Sequence, residues 1–299
     1  MRKTIIGISA LAAMQLPVGA SAETVHEGWY GGLDLGMAVP NDMDTEFSST
    51  DLPTNCDRNF PVVTVNGETL PWPKDDPRCT PAGGVLDNSF DLDEGPLLGV
   101  NVGYAWRGFR LEAEYFYRQH GGDRRGNTIN VQGKDHEFAL ISESVADMKG
   151  HQFFGNVYYD FPSALHKLIP YVGGGMGFML AEMDYSLDAH RNPDREALAA
   201  LGRHPDASGT LSRGDANLTD TLWGYQLMAG LDYPLTESVF LGVKGRYVDF
   251  LNDFKDGEPF GLLRSHASAN SPGGETVRYW VETDDWGFWG VSLNLKYFF

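Results

Sequence analysis

The stretch VSLNLKYFF, residues 291–299, decides the fold. Large apolar residues occupy every second position, and polar residues lie between them: Ser292, Asn294 and Lys296. Because successive side chains of a β-strand point to opposite faces, this pattern predicts a strand with one apolar and one polar face. Whether the apolar face meets a protein core or lipid depends on the other strands of the sheet.

The same alternation recurs in seven earlier segments, each long enough to form a strand of a sheet. They are residues 28–40, 96–106, 108–120, 151–161, 169–180, 221–234 and 238–250. The connections between consecutive segments alternate between short and long. The short connections are 107–108, 162–167 and 234–237, and the long ones are about 41–94, 121–149, 185–220 and 251–284. This alternation predicts an up-and-down antiparallel meander whose long loops all lie at one end.

Two of the long loops carry local signals of their own. The first contains Asn66–Gly67 within residues 61–70, a pair typical of a β-hairpin turn. The third contains residues 194–204, DREALAALGRH, which we expect to form a short helix.

The polar faces of the strands carry charges of both signs, which could pair across the lumen of a closed sheet. These residues are Asp34, Arg110, Glu112, Glu114, Arg118, Lys244, Arg246 and Lys296. Aromatic residues cluster near both ends of the segments, as in the two interfacial girdles of a membrane barrel. A soluble β-sandwich would instead place its largest side chains at the middle of each strand. We therefore predict an all-β fold: an eight-stranded antiparallel up-and-down transmembrane β-barrel with four long extracellular loops.

The N-terminus has the features of a secretory signal peptide over residues 1–22. Arg2 and Lys3 precede an apolar run, and Ala20-Ser21-Ala22 is a small-residue cleavage site. The barrel domain then spans 23–299. No later segment has the 18 consecutive apolar residues of a membrane-spanning helix. The net charge of −18 argues against nucleic-acid binding.

Cys56 and Cys79 are the two cysteines of the chain. An exported protein meets an oxidising compartment, so we expect them to form a disulfide in the first long loop. Such a bond would constrain that loop by roughly 3 kcal/mol on the chain-entropy model. The alternative is two free thiols.

Three motifs, GWYGGLDLG (28–36), IPYVGGGMGF (169–178) and LNLKYFF (293–299), together with the signal peptide, resemble a known superfamily. It comprises the eight-stranded outer-membrane barrels, including the OmpA transmembrane domain and the opacity-like porin family of surface antigens. The resemblance implies location in the outer membrane, contact with its lipid and lipopolysaccharide, and no cofactor. It also implies that the barrel assembly machinery reads the final strand through Tyr297 and Phe299.

Because the lumen of an eight-stranded barrel is filled by side chains, we expect the inner charges to form a packed ion-pair plug. The function we expect is that of a surface protein with a structural or interaction role. Its large acidic loops would meet a host or extracellular ligand, and weak binding of divalent cations there is an open alternative. A small porin is a second hypothesis. A third hypothesis is an enzyme acting on lipid A, for which His266 and Ser268 are the residues that most resemble a catalytic serine and histidine. We nevertheless expect no catalytic, cofactor or metal site.

Overall fold

The computed structural model describes residues 26–49, 64–65, 68–69, 86–127, 138–161, 167–200, 208–260 and 277–299. The expectations for the signal peptide (1–22), for Cys56 and Cys79, and for His266 and Ser268 lie outside these residues. The strands are β1 Gly28–Pro40, β2 Met43–Ser49, β3 Thr64–Val65, β4 Glu68–Thr69, β5 Leu86–Phe90, β6 Gly95–Trp106, β7 Phe109–His120, β8 Asp123–Asn127, β9 Phe138–Asp160, β10 Ile169–Arg191, β11 Leu211–Pro234, β12 Val239–Phe250, β13 Phe254–Phe260, β14 Val277–Thr283 and β15 Phe288–Phe298.

One helix, α1 (Arg195–Ala200), falls inside the segment where the sequence predicts it. The side chain of Asp194 begins this helix by accepting the N–H groups of Glu196 and Ala197. Among the described residues, no helix is long and apolar enough to cross a membrane. The hairpin signal at Asn66–Gly67 is also confirmed, because β3 and β4 pair antiparallel on either side of it.

Eight strands form a closed ring in which every strand pairs antiparallel with two neighbours. The order is β10, β11, β12, β15, β1, β6, β7 and β9, and pairing of β9 with β10 closes the ring. The C-terminal strand lies between β12 and β1, with Leu293 opposite Val243 on one side and Leu35 on the other. The predicted all-β antiparallel barrel is therefore confirmed.

The short connections lie at one end of the ring, together with the first described residues and Phe299. The tightest connection is a two-residue turn at Arg107 and Gly108, whose φ angles are 51° and 83°. Positive φ at both central residues matches the right-handed twist of the hairpin strands, and glycine adopts it without a steric penalty. Glu27 supports the turn by accepting the N–H of Arg107.

The outer face of the ring is apolar, with an aromatic girdle at each end. Towards the short turns, Trp29 contacts Tyr104 and Phe109 contacts Tyr159, with ring centroids 5.4 and 5.1 Å apart. Towards the long connections, a chain of rings at 5.1–5.4 Å runs around the barrel: Tyr115, Phe153, Phe178 and Trp223. Aliphatic side chains, such as Leu293 at 56% exposure, fill the band between the girdles. This distribution matches a bilayer with two polar interfaces.

Above the second girdle, the described parts of the long connections form a structured cap. Three barrel strands, β9, β10 and β11, continue into it to residues 138, 191 and 211, and β8 pairs with β9. Segments of the first and fourth connections form a second antiparallel sheet in the order β13-β14-β2-β5. We call the parts of these strands that lie above the girdle the cap.

The polarity of the two strand faces inverts where the barrel meets the cap. On β10 the outward side chains change from Phe178 and Leu180 to Glu182 and Asp184, while the inward side chains become apolar. Water replaces lipid outside the strand at this level, so polar side chains are favoured there. The inward residues form one hydrophobic core: Met43, Phe47, Phe90, Ile141, Val145, Met148, Met179, Ala181, Met183, Tyr185, Leu187, Ala189, Leu218, Leu222, Phe254, Tyr279, Val281 and Trp286.

Side chains join the two sheets of the cap where β11 loses its barrel partner. Pairing with β12 ends at Gly224, and beyond it Asn252 accepts the N–H of Trp223 at 2.8 Å. Asp256 likewise accepts the N–H of Thr219 at 2.8 Å, and Asp220 accepts the N–H of Lys255 at 2.9 Å. These acceptors satisfy backbone donors at a strand edge, so several acidic residues of the connections are structural.

The outer face predicts that the cost of a leucine-to-arginine substitution depends on the height of the residue along the barrel. Leu293→Arg places a cation midway between the girdles and should destabilise the folded barrel by about 2–4 kcal/mol. The matched control Leu211→Arg lies at the water-exposed end of β11 and should change stability by less than about 0.5 kcal/mol. Urea unfolding in lipid vesicles, followed by tryptophan fluorescence, measures both values. Equal costs for the two variants would contradict the assignment of the lipid band.

Candidate functional site

The largest assembly of charged side chains lies inside the barrel at mid-height. Lys244 Nζ lies 3.0 Å from Asp34 Oδ2 and 3.1 Å from Glu114 Oε1, and Arg246 Nη2 lies 2.8 Å from the same Glu114 oxygen. We call these four residues the upper ion cluster. Gln226 donates to Glu114 at 2.9 Å, and Asn101 donates to Asp34 at 3.1 Å. All four charged side chains are buried, and their charges cancel.

A second neutral group, the lower ion cluster, lies nearer the short turns. Arg110 Nη2 lies 2.8 Å from Asp160 Oδ1, and its Nη1 lies 3.5 Å from Asp232 Oδ2. Lys296 Nζ lies 2.5 Å from that same Asp232 oxygen. The Arg110 guanidinium also lies over the ring of Tyr171, 4.5 Å from its centroid. Two positive and two negative charges again cancel.

The remaining two predicted lumen charges have no partner of opposite sign within ion-pair distance in the described structure. Glu112 accepts hydrogen bonds from Tyr30 and Tyr158 at 2.9 and 2.8 Å, and from Asn156 at 3.3 Å. Arg118 donates to the backbone carbonyl of Trp286 at 2.9 Å. The eight residues therefore divide among two ion clusters, one carboxylate held by neutral donors, and one cation held by a carbonyl.

Sequence reasoning missed Asp160 and Asp232, the carboxylates of the lower ion cluster. Both lie on the inward parity of their strands, so the alternation itself could have identified them. Each lies near a short turn, next to an aromatic residue of the outer face. Their partners come from strands far away in the sequence, and only the ring closure brings them together.

Apolar layers close the lumen above and below the ion clusters. Towards the short turns, Tyr30, Ala105, Phe240 and Phe298 pack together, and the His26 ring lies 5.0 Å from Phe240. Towards the cap, the layer consists of Ala38, Leu97, Phe116, Phe154, Val248 and Phe288. The described interior is thus packed with side chains along its length. Tyr297 and Phe299 instead point outward at the lower girdle, with their rings 5.4 Å apart.

A buried carboxylate joins three segments of the cap. Glu143 on β9 accepts hydrogen bonds from Thr45 Oγ1 at 3.1 Å, from Tyr185 Oη at 2.7 Å and from Asn88 Nδ2. Burial raises the pKa of Glu143 above its usual value of 4.5, and nearby Asp87 adds to the rise, while the three hydrogen bonds oppose it. Burial and the nearby Glu143 carboxylate raise the pKa of Tyr185.

The outer face of the cap is acidic and contains a hollow of about 410 Å³. Its lining includes Asp184, Ser186, Asp215 and Asn217, and the Asn217 amide donates to Asp184 and to Glu182 at 2.7 and 2.9 Å. Within the described ranges, no group of three histidine, cysteine or acidic residues is arranged to hold a metal ion.

Comparisons with known proteins match the fold. A family model described as "Outer membrane protein beta-barrel domain" matches residues 8–261. Among solved structures, neisserial surface protein A is 14% identical, with 91% of this chain and 97% of that chain covered and a TM-score of 0.37. The Yersinia pestis attachment invasion locus protein Ail, in complex with the heparin analogue sucrose octasulfate, is 10% identical (90% and 99% covered, TM-score 0.28). The N-terminal β-barrel domain of Pseudomonas aeruginosa OprF is 14% identical (88% and 99%, 0.28). A search of curated proteins finds no match.

The shared carboxylate of the upper ion cluster predicts a large mutational cost. Glu114→Gln leaves Arg246 without its carboxylate and should destabilise the barrel by about 3–5 kcal/mol, because an unpaired buried charge remains. Glu182→Gln, at an exposed position of the cap, should cost less than about 1 kcal/mol. Urea unfolding in lipid vesicles compares the two. A loss below about 1 kcal/mol in Glu114→Gln would show that the cluster does not hold the lumen together.

The buried Glu143 predicts a pH dependence that is confined to the cap. Its folded-state pKa is raised, so the unfolded chain releases the proton first, and stability falls as the pH rises from below 4.5 through the folded value. Hydrogen exchange of cap amides between pH 4 and 8 should show this loss of protection in the wild type. The loss should be smaller in Glu143→Gln, whereas Glu182→Gln should follow the wild type. Identical profiles for all three proteins would contradict the assignment.

Proposed function

We propose that this chain, which belongs to the outer membrane protein beta-barrel domain family, is a closed barrel that presents its cap as an interaction surface outside the cell. The barrel anchors the cap in the outer membrane, and the acidic outer face of the cap binds a partner that carries basic groups. The observation that carries the proposal is the shared hydrophobic core, in which residues of β9, β10 and β11 pack with residues of the second sheet.

The packing of the lumen supports the choice of an interaction role over a small porin. Apolar layers lie on both sides of the two ion clusters, and the charged side chains between them are buried and held by ion pairs or, at Glu112, by neutral donors. An ion path would require hydrated space through these layers. The porin hypothesis gains no support from any described residue, and we assign no enzymatic reaction to the chain.

The rigidity of the cap supports recognition of a macromolecule by a preformed surface. A surface built on paired strands loses little conformational entropy on binding, so a larger part of the contact energy appears as affinity. Its outward residues on β10 and β11 include Glu182, Asp184 and Asp215, and the whole chain carries a net charge of −18. Such a surface attracts basic partners and accelerates their association at low ionic strength.

The proposal predicts that a lysine heptapeptide binds to the protein refolded in detergent, and that added salt weakens the binding. Neutralising the cap face with Glu182→Gln and Asp215→Asn should weaken binding about threefold to tenfold at low salt, as expected for exposed charge pairs. The matched control neutralises two exposed carboxylates at the short-turn end, Glu27→Gln and Glu237→Gln, and should bind as the wild type does.

Fluorescence anisotropy of a labelled peptide measures the binding, and a glutamate heptapeptide tests for nonspecific adhesion. The same preparation in planar bilayers should give no discrete channel openings. Equal weakening by both double variants would show that only the total charge matters and would overturn the proposed surface. Steady channel openings would instead favour the porin hypothesis.

A further inference from the structure

Arg118 is the one predicted lumen cation that has no acidic residue within ion-pair distance in the described structure. The upper and lower ion clusters are each neutral, so Glu112 and Arg118 are the remaining charges of the predicted set. These two residues lie six positions apart on β7, which separates them by about 20 Å along the strand. They cannot form an ion pair, although Arg118 is only 2% exposed.

The contacts of Arg118 do not neutralise its charge. Its Nη2 donates to the carbonyl of Trp286 at 2.9 Å and lies 3.6 Å from Met179 Sδ, and the guanidinium lies 4.4 Å from the Phe288 ring centroid. Its Nε is buried and has no hydrogen-bond partner among the residues that the structure describes. A buried cation is stable only when paired, because it has lost its hydration.

A second unpartnered polar group lies beside it. Gln152 is 0% exposed, and neither its Oε1 nor its Nε2 has a hydrogen-bond partner within the described structure. Gly150 stands directly opposite Arg118 in the register of β7 and β9. A Cβ at Gly150 would lie 2.5 Å from Met179 Sδ and 3.5 Å from Gln152 Nε2, so Met179 borders both groups. A free amide donor and an uncompensated guanidinium therefore both lie near the flexible Met179 side chain, whose Sδ occupies the space in front of Gly150.

We propose that Arg118 and the Gln152 amide hold one monovalent inorganic anion of the halide class, at the level where the lumen meets the cap. A single uncompensated positive charge selects a single negative charge. The surrounding side chains of Phe116, Phe154, Met179 and Phe288 are buried and apolar, which favours a small, weakly hydrated ion over an organic ligand. The bound anion supplies the missing counter-charge and an acceptor for the Gln152 N–H groups.

The site also connects the two tiers of the molecule. Arg118 is a barrel residue, and the carbonyl that it binds belongs to Trp286, which packs in the cap core. An anion that holds the guanidinium in place therefore strengthens the junction between barrel and cap. This role concerns the interior and does not depend on the proposed binding of a partner at the outer face.

Thermal unfolding of the refolded protein tests the site at constant ionic strength, with sodium bromide replacing sodium gluconate. Halide that binds only the folded state should raise the Tm in a saturable manner. Arg118→Met should lose this dependence, and Gln152→Leu should need about tenfold more halide, because one hydrogen bond to the ion is lost. Lys149→Met removes a half-buried cation of the neighbouring strand, which pairs with Glu182 on the outer face, and should keep the wild-type response.

Bromide-soaked crystals of the wild type provide the direct measurement, which stands even if Arg118→Met does not fold. An anomalous peak within about 3.3 Å of both the Arg118 guanidinium and Gln152 Nε2 is the expected result. The absence of that peak at saturating bromide overturns the proposal. A Tm that responds equally in the wild type and in Arg118→Met also overturns it, because the ion would then act elsewhere.

Discussion

The rest of the structure depends on the hydrogen bonding of the backbone in a lipid environment. No water is available there, so every N–H and C=O group in the band must find a partner within the protein. The ring of eight antiparallel strands meets this requirement by leaving no edge, because β9 pairs with β10 and the C-terminal strand β15 pairs with both β12 and β1. Once the sheet is closed, one face of every strand meets lipid and the other meets a narrow lumen.

The narrow lumen in turn determines how its charges are arranged. Side chains that enter it lose their hydration, so each charge needs a nearby partner of opposite sign or a set of hydrogen-bond donors. The two ion clusters satisfy this condition by local neutrality, and Glu112 satisfies it with tyrosine and asparagine donors. These contacts cross between strands such as β7 and β12, so they also hold the ring together. A lumen filled in this way is packed as the core of a soluble domain is packed.

The cap has the reverse distribution of side chains, apolar inside and polar outside, because water and not lipid surrounds it. Water lies outside it, so its strands bury apolar side chains and expose carboxylates, and the switch occurs within single continuous strands such as β10. Part of the acidity of the long connections is structural, since Asp220 and Asp256 accept backbone N–H groups between the two sheets. The outward residues Glu182, Asp184 and Asp215 lie on paired strands, and the proposed recognition of basic partners depends on this preformed surface.

The sequence by itself determined the eight barrel strands, their inward and outward faces and the antiparallel order. The alternation of apolar and polar residues has a period of two and is a local property. The two faces of a strand can therefore be recognised in a single segment such as VSLNLKYFF. The sequence also placed all eight predicted charges on the inner face. It did not reveal that Lys296 pairs with Asp232, that no described carboxylate pairs with Arg118, or that described segments of all four long connections share one core. Only the tertiary structure decided these features, because ion pairs and cap packing depend on which distant strands become neighbours when the sheet closes.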